Sequence, residues 1–435
     1  MSYIKYRLQA FKRLSGHYTK NGPRNLATKA DHIKASSVKK IYWRIGGALV
    51  TAGVAGAFSS TVLLEAEKPT SFKDGPRKLT GFTPQSSALQ VDQGKLSHEN
   101  PGIFLWGANE CGIAAPDNVK ETPIKLPRKN SFFEGQAFRG VVFGLNHAVA
   151  IDSNGDLYQW GLGYFEDELE KNLAPEMTLK GKDIVQVAAS DKKVFALSRK
   201  GELYVLSSAK KYQQLSEEEK VQGWSDYFWG IYPSVKFFKA DIPNPSNGEK
   251  IKNISAGQHH LAALTSDNRI LTLQADATGK TYGQLGIGNL DSAPIPSNSD
   301  ENAADYCLQF AEAKLPDSVT LDKVSCGNNH TFIRTDSGRI FAFGANFLGQ
   351  LGMGHFTMSK AVALTPQEIT DKFSSTNQQV RPKIVDVVAG GDTSAFVVQQ
   401  VDFDDNVKSV ELYTCGFGQW GQLGNNRVIS YFFKS

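Results

Sequence analysis

His147, His260 and His330 are the first residues in this chain whose chemistry invites attention, because each stands three places after a glycine, Gly144, Gly257 and Gly327. Gathered at one point, three imidazoles would bind a metal or move protons. Their recurrence at one position of a repeating phrase gives another reading. Each caps a turn within its own repeat unit, far from the others. His259 is outside the pattern, and alone it signals little.

The four cysteines, Cys111, Cys307, Cys326 and Cys415, form no CxxC and have no histidine at zinc-ligand spacing. They read as small packed side chains, with a Cys307–Cys326 bridge as the sharper alternative. The short glycine words Gly161–Gly163 and Gly286–Gly288 lack the strand–turn–helix context and full spacing of a nucleotide-binding loop. No P-loop, GxSxG or HExxH is present. No catalytic residue, cofactor site or metal site is therefore expected, and the chain reads as a non-enzyme.

The elements that would position such residues are repeats. One phrase sets two or three apolar residues after a charge or Gly. It appears as GIFLWG (Gly102–Gly107), DLYQWG (Asp156–Gly161), ELYVLS (Glu202–Ser207), RILTLQ (Arg269–Gln274), RIFAFG (Arg339–Gly344) and ELYTCG (Glu411–Gly416). The middle four follow turn signals, SNGD, RKGE, SDNR and DSGR, in which Gly155, Gly201 and Gly338 supply the positive φ of a tight hairpin. A second phrase carries the histidines: GLNHAVAI, AASDKKVFAL, AGQHHLAAL, CGNNHTFI and AGGDTSAFVV. Its second copy has Lys193 in place of His, and its fifth has Ser394. A third word, GQLG, recurs at Gly283–Gly286, Gly349–Gly352 and Gly421–Gly424. Short strands apolar on both faces and joined by tight turns form sheets sandwiched between neighbours, so the fold class is all-β, a β-propeller.

RIFAFGANFLGQLGMG (Arg339–Gly354) and KVSCGNNHTFI (Lys323–Ile333) resemble the repeat of the regulator of chromosome condensation family over roughly residues 103–426. That resemblance implies a seven-bladed ring. The chain ends 19 residues after Gly416, so the ring is expected to be incomplete and the sequence truncated.

Ahead of the repeats the composition changes. Residues 1–44 hold 11 Lys/Arg and one acid, Asp31, leaving the remainder with 37 basic and 43 acidic residues, a net of −6. Ile4, Leu8, Phe11 and Leu14 share a helical face opposite Lys5, Arg7, Lys12 and Arg13, the pattern of a mitochondrial transit peptide. Residues 45–64 are free of charge and proline and long enough for one transmembrane helix. Ala48, Ala52, Gly56 and Ser60 form a small-residue stripe on it, a candidate packing face for another helix. Residues 65–102 read as a flexible linker, and 103–435 as the repeat domain. Basic residues before the span and acids after it place the domain in the intermembrane space, with the matrix as alternative.

Residues 208–250 interrupt the repeats, and within them Trp224, Tyr227, Phe228 and Trp229 are candidate partner contacts, or else a satellite core. A second insertion, roughly 286–312, reads as a polar loop. The acidic domain argues against nucleic acid as a partner. The layout is similar to a fungal mitochondrial inner-membrane branch of the family, associated with assembly of the ubiquinol–cytochrome c reductase complex. That implies an inner-membrane assembly factor or scaffold for this respiratory complex (complex III), with respiratory-complex subunits or assembly factors as partners. A matrix factor in mitochondrial ribosome or RNA processing, and a guanine-nucleotide exchange factor, are the alternatives.

Overall fold

The computed structural model describes residues 101–166, 173–215, 235–296, 298–316, 319–353, 361–375, 379–424 and 433–434. The transit peptide, the span with Ala48, Ala52, Gly56 and Ser60, nearly all of the linker, and Trp224, Tyr227, Phe228 and Trp229 lie outside the described residues. Among the described residues no helix is long and apolar enough to cross a membrane.

Five sheets are four-stranded antiparallel meanders. The first contains β3 (Phe138–Phe143), β4 (Ala148–Asp152), β5 (Leu157–Trp160) and β6 (Glu176–Leu179), preceded by a two-stranded pair, β1 (Phe104–Gly107) and β2 (Ile124–Lys129). The second contains β7 (Ile184–Ala189), β8 (Lys193–Ser198), β9 (Leu203–Ser207) and β10 (Phe238–Ala240). The third contains β11 (Ile251–Ala256), β12 (His260–Thr265), β13 (Ile270–Gln274) and β14 (Ala311–Ala313). The fourth contains β15 (Leu321–Cys326), β16 (His330–Thr335), β17 (Ile340–Ala345) and β18 (Val362–Glu368). The fifth contains β19 (Arg381–Gly390), β20 (Thr393–Val401), β21 (Val407–Gly416) and β22 (Phe433–Lys434).

The repeated words map onto fixed places in each blade. The aromatic phrase is the third strand, and the histidine phrase is the first turn with the second strand. The GIFLWG copy falls on β1, so the two-stranded pair holds the third and fourth positions of a blade. The described residues thus contain five full blades and half of another, rather than seven.

The packing follows from the sequence pattern. β12, β13 and β17 are buried along their whole length, because each sheet lies between two others. Cores form between successive blades; one joins Phe332, Phe341 and Phe343 of the fourth blade to Phe396 and Val398 of the fifth. Every blade carries a bulge at the same place in its first strand, between Phe138 and Gly140, Ile184 and Gln186, Ile251 and Asn253, Leu321 and Lys323, and Ile384 and Asp386. A bulge increases local twist, which helps these innermost strands splay around an axis. Their turns are joined laterally. The amide of Asp191 donates to Gln258 O (3.0 Å), that of Gln258 to Asn328 O (3.0 Å) and that of Asn328 to Gly391 O (2.7 Å). This belt stitches the second to the fifth blade.

The hairpin expectations hold in detail. Gly155, Gly201 and Gly338 have φ of 88°, 83° and 83°, and Asn268 takes the same place in the third blade with φ 65°. After the third strand, a Cβ on Gly344 would lie 2.4 Å from Asn329 O, and one on Gly416 would lie 2.2 Å from Asp392 O. The glycine there is required by the passing backbone. All four cysteines are free thiols, so the Cys307–Cys326 bridge is not formed.

Candidate functional site

The first turn of every blade lies at one end of the sheets, the same end to which the third strand runs. Chemistry-bearing side chains gather there, so the histidines are the starting point. His147, His260 and His330 are fully buried. Their carbonyls, not their rings, close the turns, accepting from the amides of Gly144 (2.9 Å), Gly257 (2.8 Å) and Gly327 (2.9 Å). Each imidazole lies flat over its glycine, where a Cβ would come within 2.2, 2.4 and 2.1 Å of Cε1.

Two of the rings reach into the next blade. His260 Nε2 lies 2.8 Å from Thr331 Oγ1 of the fourth blade, and His330 Nε2 lies 2.9 Å from Ser394 Oγ of the fifth. Ser394 donates onward to Gln350 O at 2.8 Å, and Thr331 more weakly to Gln284 O at 3.4 Å. A hydroxyl that gives its proton away must accept from the ring, which fixes the neutral Nε2–H tautomer. Burial lowers the pKa of His147 to about 4, and those of His260 and His330 to about 3. All three therefore stay uncharged rather than act as acid–base groups, and His260 and His330 pin neighbouring blades together. The strand register also corrects the sequence alignment. Thr393, opposite Gly416, stands where His330 stands opposite Gly344, so Ser394 occupies the acceptor position of Thr331.

In the second blade Lys193 takes the histidine place, and its Nζ reaches out to the second insertion. It donates to Glu301 O at 2.5 Å and lies 5.5 Å over the Tyr306 ring. The neighbouring Lys192 donates to Asn302 Oδ1 at 2.8 Å. From the third blade, His259 Nδ1 lies 2.6 Å from Asp276 Oδ2. Gln258 Nε2 donates to Asp191 Oδ2 at 2.6 Å. The amide of Ala277 donates to Glu301 Oε2 at 3.2 Å.

Electrostatics bind this cluster into one unit. Burial drives Lys193 down to about 8, against the pull of Asp276 and Glu301. Burial also disfavours charge on His259, but the hydrogen bond and charge of Asp276, with Asp191 and Glu301 nearby, prevail and raise it. The Asp191 carboxyl is raised, chiefly by burial. A histidine anchored on a buried carboxylate can take and release a proton at Nε2. Among the described residues, however, no hydroxyl or thiol hydrogen-bonds the His259 ring, and no group of His, Cys, Asp and Glu could hold a metal. The arrangement fastens the insertion across the second and third blades and presents a mixed-charge rim.

Sequence reasoning marked Lys193 only as a departure from the repeat and set His259 aside. Asp276 and Glu301 carried no signal, since the contacts of this cluster join segments as far as 110 residues apart. The available clue was the doublet His259-His260, where the other histidine copies have Asn before the patterned histidine. The 286–312 insertion is a loop except for the short turn Leu290–Ser292 and the first residues of β14, yet Ala304, Tyr306, Cys307 and Phe310 are buried, so it is packed and not merely polar.

These stacked four-stranded sheets define a β-propeller, and within it models of the Regulator of chromosome condensation (RCC1) repeat match residues 322–350 and 337–397. Among solved structures, that of Prp20p from Saccharomyces cerevisiae is similar, with a TM-score of 0.50 and 19% identity, covering 76% of this chain and 72% of that one. At that identity the likeness concerns the fold alone. Among relatives, the chain is 25% identical to Protein FMP25, mitochondrial, of Saccharomyces cerevisiae, over 78% of this chain and 56% of that protein. It is 27% identical to the Ultraviolet-B receptor UVR8 of Arabidopsis thaliana, over 58% of this chain and 51% of that protein. The chain spans about half the length of the relatives it matches.

Proposed function

We propose that this protein is a non-enzymatic mitochondrial scaffold, anchored in the inner membrane by residues 45–64, that assists assembly of the respiratory cytochrome bc complex. The observation that carries the reading is the similarity to Protein FMP25, mitochondrial, of Saccharomyces cerevisiae over 78% of this chain. The transit-peptide pattern of residues 1–44 and the small-residue stripe Ala48, Ala52, Gly56 and Ser60 support it from the sequence. The rim around Lys193 and His259 supports it from the structure, since its groups are committed to holding a loop in place.

Deletion of the gene is the test. The expected result is a selective fall in the assembled cytochrome bc complex on native gels, with mitochondrial translation unchanged. Equal loss of all respiratory complexes together with lost translation would favour a matrix factor in ribosome or RNA processing. Accelerated nucleotide release from a small GTPase by the purified chain would favour the exchange-factor alternative.

A further inference from the structure

The fifth blade differs from the others at the end opposite the histidines. In the fourth blade the second strand, β16, has 6 residues and turns directly through residues 336–339. In the fifth, β20 has 9 residues and β21 has 10, and their ladder runs from Thr393↔Gly416 to Val401↔Val407, with one register shift between Gln400 and Val401. Three extra residues carry the β20–β21 turn about 10 Å farther out.

The tip of this hairpin is built rigidly. Asp402 Oδ1 accepts from the amides of Asp404 and Asn406, both at 2.9 Å, and Lys408 Nζ lies 2.7 Å from Asp402 Oδ2. The Asp402 amide donates to Asn406 O at 3.0 Å, and Asp405 adopts φ 61°. Arg381 pairs with Asp405. Two of the three tip acids are thus neutralised within the blade, Asp402 by Lys408 of the hairpin and Asp405 by Arg381 of β19, and the Asp404 carboxylate is left to solvent. Beside it, Phe403 is 80% exposed. A large aromatic held outward on a preorganised turn loses little conformational entropy on binding.

We propose that Phe403 and Asp404 form a docking knob for a folded protein partner that presents an apolar socket bordered by basic side chains. The aromatic ring supplies the buried anchor. Asp404, on a domain of net negative charge, selects a positive rim and disfavours an anionic lipid surface. The knob stands apart from the identity of any respiratory client.

The test uses the full chain, expressed in cells lacking the wild type, solubilised gently and sized on native gels. Wild type and Phe403→Trp should migrate in an assembly larger than the chain itself. Phe403→Ala and Asp404→Lys should shift most of the chain to its own mass, with unchanged melting temperature. Ile295→Ser, which alters an equally exposed apolar residue on the second insertion, should behave as wild type. The proposal is overturned if wild type and Phe403→Ala migrate alike. It is overturned if Phe403→Ala also lowers the melting temperature, or if two differently tagged copies recover each other through Phe403. Flotation on cardiolipin-containing phosphatidylcholine vesicles that Phe403→Ala abolishes would overturn it in favour of membrane contact. A normal cytochrome bc complex alongside the predicted shifts would leave the knob standing while the assembly-factor reading fails.

Discussion

His330 and His147 occupy the same place in the same repeat, are equally buried and lie over equivalent glycines, yet only one is paired across blades. His330 meets Ser394, while neither ring nitrogen of His147 has a hydrogen-bond partner. The difference lies in the next blade. Thr331 and Ser394 each follow the histidine position of their own blades, and the corresponding residue in the second blade is Val194. A repeat residue is therefore only half of an interaction, and its neighbour supplies the other half. Lys193 shows the same rule from the other side. Without a ring to lie over its own turn, it recruits the second insertion.

The largest expected effect tests what the three histidines share. Their folded pKa values lie below the unfolded value of about 6.5, so the unfolded chain binds the protons first as pH falls. The stabilisation is fully present above pH 6.5 and is lost toward pH 4, at up to about 1.4 kcal/mol per pH unit for each histidine. Together they should remove about 4 kcal/mol per unit. His259, whose folded pKa is raised, acts above 6.5 and does not oppose this loss. Denaturant titrations of the full-length chain at pH 7, 6 and 5 measure the slope, and a flat profile would show that the rings are hydrated.

Next in size is Gly327→Ala. The new methyl group collides with the His330 ring, and overpacking of this kind costs about 1–3 kcal/mol. Gly144→Ala should cost a similar amount, because the ring-over-glycine contact is common to paired and unpaired sites. A markedly smaller cost at Gly144 would mean that His147 moves aside.

Thr331→Val separates the two kinds of site. It strips His260 Nε2–H of its acceptor while keeping the shape, with an expected loss of about 1–3 kcal/mol. The reverse transplant, Val194→Thr, offers His147 the missing partner and should stabilise by about 0.5–1 kcal/mol. If both changes destabilise equally, the neighbour rule is wrong, and hydrogen exchange of the Ala148 and His330 amides would report which turn loosened.

Much of the fold was legible because propeller blades are local. Apolar strands of four to six residues, SNGD- and DSGR-type turns, and glycines where another backbone passes are all written within one blade, and Gly155, Gly201, Gly338, Gly344 and Gly416 do what their positions imply. The sequence did not reveal what each blade receives from the next. Ser394 reads as the histidine place from the sequence alone, because only the strand register sets Thr393 opposite Gly416. The His260–Thr331 bond spans 71 residues, and the Lys192–Asn302 bond spans 110. No local period encodes such pairs. They exist because stacking brings the inner turns of neighbouring blades within hydrogen-bond reach, where burial makes an unpaired polar group costly and a paired one specific.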